Sequence, residues 1–159
     1  MYYQKSEIIE QIQSYHQKVA ELFYTLLETI QDEKIKSIVY DLYQLELSRA
    51  KYLEKHKNIA KALNCWLDFP CEKLSSQINE CFKEIKTDQK YILEDVLKIE
   101  MHFDNCLIKL YNLLASENEL SGTIANIFYY MHKKTKKEES MISEMMCNSQ
   151  SNLNYNFSV

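Results

Sequence analysis

One glycine, Gly122, and one proline, Pro70, are the whole stock of strong turn formers in 159 residues. A chain with so little punctuation has few ways to build tight turns, and a small number of long helices is the fold its composition favours. Long apolar runs are missing too: no stretch approaches the roughly 18 residues that would span a bilayer. The N-terminus MYYQKSEIIEQIQ carries charge within its first ten residues and lacks the apolar run of a signal peptide. The five cysteines, Cys65, Cys71, Cys81, Cys106 and Cys147, form an odd set without a CxxC pair. They exclude a disulfide framework or a zinc knuckle and fit a reducing compartment. With a net charge of -4 there is no basic footprint for nucleic acid, and the Lys133 to Lys137 run is answered at once by Glu138 and Glu139, as on a solvated helix face. P-loop, GxGxxG, HExxH and Ser-His-Asp patterns are absent, which leaves nucleotide-dependent and nucleophilic enzymes unsupported. A soluble, cytoplasmic, single-domain protein is the expectation, with no membrane and no nucleic-acid partner.

What is present is helical periodicity. Ile8, Ile9, Ile12, Val19, Leu22, Phe23, Leu26, Leu27 and Ile30 recur at steps of three and four, which places them on one stripe of a helix, with Ser6 as a candidate N-cap. Gln31-Asp32-Glu33 makes a short polar break and sets negative charge at the start of a second helix that carries Ile35, Ile38, Val39, Leu42, Leu45, Tyr52 and Leu53 to about Leu63. Pro70 closes the next stretch, where Trp66 and Phe69 can pin the linker to the core. A short amphipathic helix is predicted from Leu74 to about Lys86 and a third long one from near Asp88 through Leu114. A fourth follows the Ser121-Gly122 break. Residues 1–147 form the expected domain, and the Asn- and Ser-rich residues 148–159 a disordered tail.

The breaks run short, long, short. Two helical hairpins joined by one long crossover are the ferritin-like arrangement of a four-helix bundle, as opposed to the simple up-down-up-down kind. The chain also repeats itself. Gln17, Ala20, Phe23, Tyr24, Glu46 and Arg49 in the first half are echoed by Asp104, Leu107, Leu110, Tyr111, Met131 and Lys134 in the second. At Val19-Ala20-Glu21-Leu22-Phe23-Tyr24 and Leu107-Ile108-Lys109-Leu110-Tyr111 the sequence resembles the rubrerythrin-like branch of the ferritin superfamily. The linker from Leu63 to Pro70 and the Glu100 to Leu114 segment are similar to a bacterial group of small ferritin-like proteins. The resemblance covers about residues 6 to 146 and implies an all-α, four-helix bundle.

In a working di-iron bundle each half supplies a carboxylate and then a Glu-x-x-His pair one helix later. Carried over by that resemblance, the six ligand positions fall on Gln17, Glu46, Arg49, Asp104, Met131 and Lys134. Two are carboxylates, and none is histidine. Arg49 and Lys134 replace cationic metal by cationic side chain, and the expectation is that they pair with Glu46 and Asp104 inside the bundle, so that no cofactor is needed. The alternative is a reduced site for iron or manganese built from Glu21, Glu46, Glu100 and Asp104. None of His16, His56, His102 and His132 stands at Glu-x-x-His spacing.

The leading expectation is a metal-free ferritin-like bundle that is not an enzyme and serves as a binding or structural module, with a protein partner or a second copy of itself. Twelve tyrosines are many for this length, and Tyr40, Tyr43, Tyr129 and Tyr130 include positions off the apolar stripes. With Trp66 and Phe69 they are the interface candidates, because tyrosine and tryptophan are enriched in interface cores. A ferritin-like oxidoreductase is the competing expectation, and a small-molecule carrier using the space between the helices is a third. The cysteines show no pattern in sequence that marks a reactive thiol.

Overall fold

A computed structural model describes residues 2–62, 66–68, 71–83, 85–86, 90–116 and 123–155. Four long helices carry the fold: α1 (Lys5–Thr29), α2 (Glu33–Ala62), α4 (Leu93–Ser116) and α5 (Thr123–Tyr155). Between the two pairs lies the short α3 (Cys71–Phe82). The all-α expectation holds. A small addition to it is a two-stranded antiparallel ribbon of β1 (Tyr2–Gln4) and β2 (Trp66–Asp68), in which Tyr3 faces Leu67. Three-residue strands are too short to show an alternating pattern, so periodicity does not reveal them.

The helix boundaries follow from local chemistry. The Asp32 carboxylate accepts from the Lys34 and Ile35 amides at 2.8 and 3.1 Å, capping α2. At α4 the Asp95 carboxylate reaches back to the Ile92 amide at 3.1 Å, one half of a capping box, and the helix starts at Leu93 rather than near Asp88. Ser6 is not the cap of α1: the helix begins at Lys5, and Ser6 is buried inside its first turn. The helical backbone of α5 continues to Tyr155, into the segment expected to be a disordered tail. The Ser121-Gly122 break and Phe69 with Pro70 lie outside the described residues.

Side-chain contacts fix the helix directions. His16 meets Glu46 and Glu10 meets Lys57, so α1 and α2 are antiparallel. Tyr52 packs on Tyr130 with ring centroids 5.5 Å apart, while Arg49 reaches Glu138, so α2 and α5 are antiparallel as well. Tyr111 against Phe128 in α4 and α5, with Asp104 and Glu138 meeting at Arg49, gives the same sense for that pair. It follows that α2 and α4 run the same way, and the chain between them must travel the length of the molecule. Between the helices lies one continuous core in which Ile8, Ile9, Ile12, Tyr15, Phe23, Leu26, Leu53, Leu74, Phe103 and Tyr111 are all but sealed from water. Each such side chain contributes roughly 1.5–3 kcal/mol by its burial.

Candidate functional site

Midway along that core, the apolar stripes of all four long helices turn polar at one level. On α1 the stripe Ile9, Ile12, His16, Val19, Phe23 brings His16 inside. On α2 the series Val39, Leu42, Glu46, Arg49, Leu53 places a carboxylate and a guanidinium one turn apart on the buried face. Glu100 and Asp104 occupy consecutive turns of α4, and Met131, Thr135, Glu138 and Ile142 mark the inner face of α5. His16, Glu46, Arg49, Glu100 and Asp104 are each at most 3 % exposed.

Arg49 is the hub. Its Nη1 donates to Glu46 Oε1 and to Asp104 Oδ1 at 3.1 Å, and lies 3.7 Å from Glu100 Oε1. Its Nη2 donates to Glu138 Oε2. On the far side of Glu46, His16 Nδ1 is 2.7 Å from Oε2. A buried guanidinium can satisfy this many acceptors because its five N–H groups form a rigid fork. The hydroxyl of Tyr15, packed beside His16, donates to the Phe103 carbonyl at 2.8 Å and closes the layer toward α4.

Four carboxylates around one guanidinium are an excess of negative charge, and proton affinities resolve it. Burial, together with the charges of Glu46 and Asp104, pushes Glu100 well above the usual carboxylate range. Burial outweighs the pull of Arg49 at Asp104 and raises it to about 7. At Glu46 burial works the same way, but Arg49 and His16 together overcome it and hold this carboxyl below its ordinary value. Arg49 pays a desolvation cost that its carboxylates more than offset, so it stays charged. Burial also pushes the Tyr111 phenol far up, so it remains neutral. Both Glu100 oxygens, Asp104 Oδ2, His16 Nε2 and the Tyr111 hydroxyl are buried with no hydrogen-bond partner among the described residues.

No family model, curated protein or solved structure matches this chain. The site therefore rests on its own geometry.

Measured against the sequence, part of the expected set converges and part does not. Glu46, Arg49 and Asp104 meet as expected. Gln17 faces outward, because it is one residue off the buried stripe, and its neighbour His16 enters the site instead. Lys134 is exposed and pairs with neither Glu46 nor Asp104, since the buried face of α5 runs through Met131, Thr135 and Glu138. Met131 is buried in the apolar core. Glu138, assigned from sequence to a solvated face, turns inward to Arg49. Of the alternative metal set, Glu46, Glu100 and Asp104 each bring one oxygen within 4.8 Å of the others. Glu21 stands exposed on α1 and cannot join them.

These residues do not fit a di-iron centre. The expected helix-one and helix-four ligand positions, Gln17 and Lys134, face away, and the cation among Glu46, Glu100 and Asp104 is the Arg49 guanidinium itself. A second positive centre there would have to displace a bonded, charged side chain.

Outside the core, Tyr40, Tyr129 and Tyr130 are 51, 70 and 50 % exposed. Tyr43 is half-buried and packs against the core, with Tyr24 and Tyr40 at 5.6 and 6.1 Å between ring centroids. Trp66 is placed in β2 by its backbone, and Phe69 lies outside the described residues. Among the described residues no helix is long and apolar enough to cross a membrane.

Proposed function

We propose that this chain is a ferritin-like four-helix bundle whose interior cation is an arginine, and that it acts as a binding or structural module without metal-dependent ferroxidase or peroxidase activity. The observation that carries the reading is Arg49, buried and bonded to Glu46, Asp104 and Glu138 at the level where a metal would otherwise gather carboxylates. An arginine at that point supplies positive charge but neither an open coordination position nor a redox couple. The parallel run of α2 and α4 supports the ferritin-like connection.

On this reading function lies on the outer helix faces. Tyr24, Tyr40 and Tyr43, with the exposed Leu47, form an aromatic patch across α1 and α2 that suits contact with a protein partner or with a second copy. Sedimentation velocity over a range of concentrations tests self-association. Association weakened by Tyr24→Ser with Tyr40→Ser is the expected result. A monomer at every concentration that also retains stoichiometric iron or manganese would overturn the reading.

The second reading, a metal-binding oxidoreductase with a reduced carboxylate site, has one observation in its favour. Four buried oxygen and nitrogen atoms of Glu100, Asp104 and His16 lack hydrogen-bond partners among the described residues, and such atoms can serve as ligands. Arg49 is the reason it ranks second, because the oxygens nearest one another already share that cation.

A further inference from the structure

A second cluster of chemistry lies where α3 packs on α4, apart from the Arg49 layer. Cys81 near the end of α3 and Cys106 on α4 are free thiols that line one cleft of about 280 Å³ together with Gln77, Glu80, His102 and Lys109. Cys81 is buried and its thiol donates to the Gln77 carbonyl at 3.2 Å, whereas Cys106 is half-buried. The two sulfurs therefore stand in different states of access and bonding.

His102 makes the difference chemical. Its Nε2 lies 2.7 Å from the Cys81 carbonyl oxygen and 3.9 Å from Cys106 Sγ. A carbonyl oxygen can only accept, so Nε2 carries the proton. That N–H is donated to the carbonyl, and what reaches Cys106, one helical turn away, is positive potential from the imidazole edge and from the Lys109 ammonium on the same cleft wall, which favours a thiolate there. A protonated Nε2 is also closed to a metal ion.

We propose that Cys106 and Cys81 form a hydroperoxide-responsive dithiol, with Cys106 the attacking sulfur and Cys81 the resolving one. The Cys106 thiolate attacks one peroxide oxygen. An S–O bond forms and the O–O bond breaks, and the departing oxygen takes up the proton that Cys106 gave to solvent, leaving Cys106 as a sulfenic acid. The Cys81 sulfur then attacks Cys106. An S–S bond forms, the S–O bond breaks, and the hydroxyl leaves as water with the Cys81 proton. Two thiols have lost two electrons and two protons, and the hydroperoxide has become an alcohol and water. A small-molecule thiol restores the pair by exchange and is itself oxidised to a disulfide.

The test uses the reduced full chain and hydrogen peroxide, followed by thiol blocking and peptide mapping by mass spectrometry. A Cys81–Cys106 linked peptide is expected, reversed by dithiothreitol, under peroxide that leaves most of the exposed Cys147 unmodified. Cys81→Ser should arrest the reaction at a sulfenic acid on Cys106 that dimedone captures, and Cys106→Ser should leave Cys81 free. Equal oxidation of Cys106 and Cys147 in the parent chain, without the linked peptide, would overturn the proposal, and so would Cys81 oxidation undiminished in Cys106→Ser. The parent measurement stands whatever the variants do to folding.

Discussion

Replacing Arg49 by methionine removes the guanidinium while keeping most of its volume, so the loss measured is electrostatic rather than a cavity. The variant strips Glu46, Asp104 and Glu138 of their shared donor and Glu100 of its nearest cation. Removing one partner of a buried ionic group costs about 3–5 kcal/mol, because the charges left behind are neither solvated nor paired. For a chain of this size each kcal/mol moves the melting temperature by roughly 2–4 °C, so a fall on the order of 10 °C is expected at neutral pH. The cost has a pH dependence of definite sign. Without Arg49 the stranded carboxyls bind protons more tightly folded than unfolded. Their stability is present below the usual carboxylate range and is lost as pH rises through their raised folded values, so the deficit against the parent widens from about pH 4 upward. Thermal melts by far-UV circular dichroism at several pH values measure this. A variant that melts with the parent at neutral pH would refute the reasoning.

Other consequences follow from the same layer. Asp104 is raised to about 7 in the folded chain, so between about pH 4 and that value the native state holds a proton the unfolded chain has lost. Asp104→Asn should remove that contribution and flatten the fall of the unfolding free energy from urea titrations over this window by up to about 1.4 kcal/mol per pH unit. Glu46 acts in the opposite sense, since its lowered value means that its stabilisation is lost on acidification. Glu46→Gln should therefore protect less well at neutral pH and converge on the parent in acid. Tyr15→Phe removes the hydroxyl's bond to the Phe103 carbonyl, which keeps its own helical partner, and should cost about 0.5–1.5 kcal/mol by urea denaturation, with no change in the slope of that transition.

Much of the fold was legible because it depends on spacing that local sequence carries. The four long helices follow from three- and four-residue steps, and Asp32 announces the start of α2 through its side-chain oxygen. The β1–β2 ribbon was not legible, since its pairing joins residues more than sixty positions apart and is only three residues long. The site was half legible. Glu46, Arg49 and Asp104 came, with Gln17, Met131 and Lys134, from carrying over ligand positions by resemblance, and at these three the carried positions coincide with the buried polar layer. At Gln17 and Lys134 the carried positions miss the buried face by one residue each, beside the buried His16 and Thr135. Periodicity alone selects His16, in step with Ile12 and Val19, and Glu138, in step with Thr135 and Ile142. The Cys81, His102 and Cys106 grouping had a partial signal, because His102 and Cys106 are one turn apart on α4. Cys81 reaches them only through the packing of α3, which no sequence spacing encodes.

A buried carboxylate layer filled by the chain's own cation sets a definite relation to metal. The three converging oxygens of Glu46, Glu100 and Asp104 lie close enough for one ion, and Arg49 is what stands among them. The direct measurement is metal content by mass spectrometry after anaerobic iron and manganese loading and desalting, with the parent beside Arg49→Ala. No stoichiometric metal is expected in the parent, whereas Arg49→Ala should retain metal and melt higher with it than in its own metal-free form. One or two ions per parent chain would contradict this expectation.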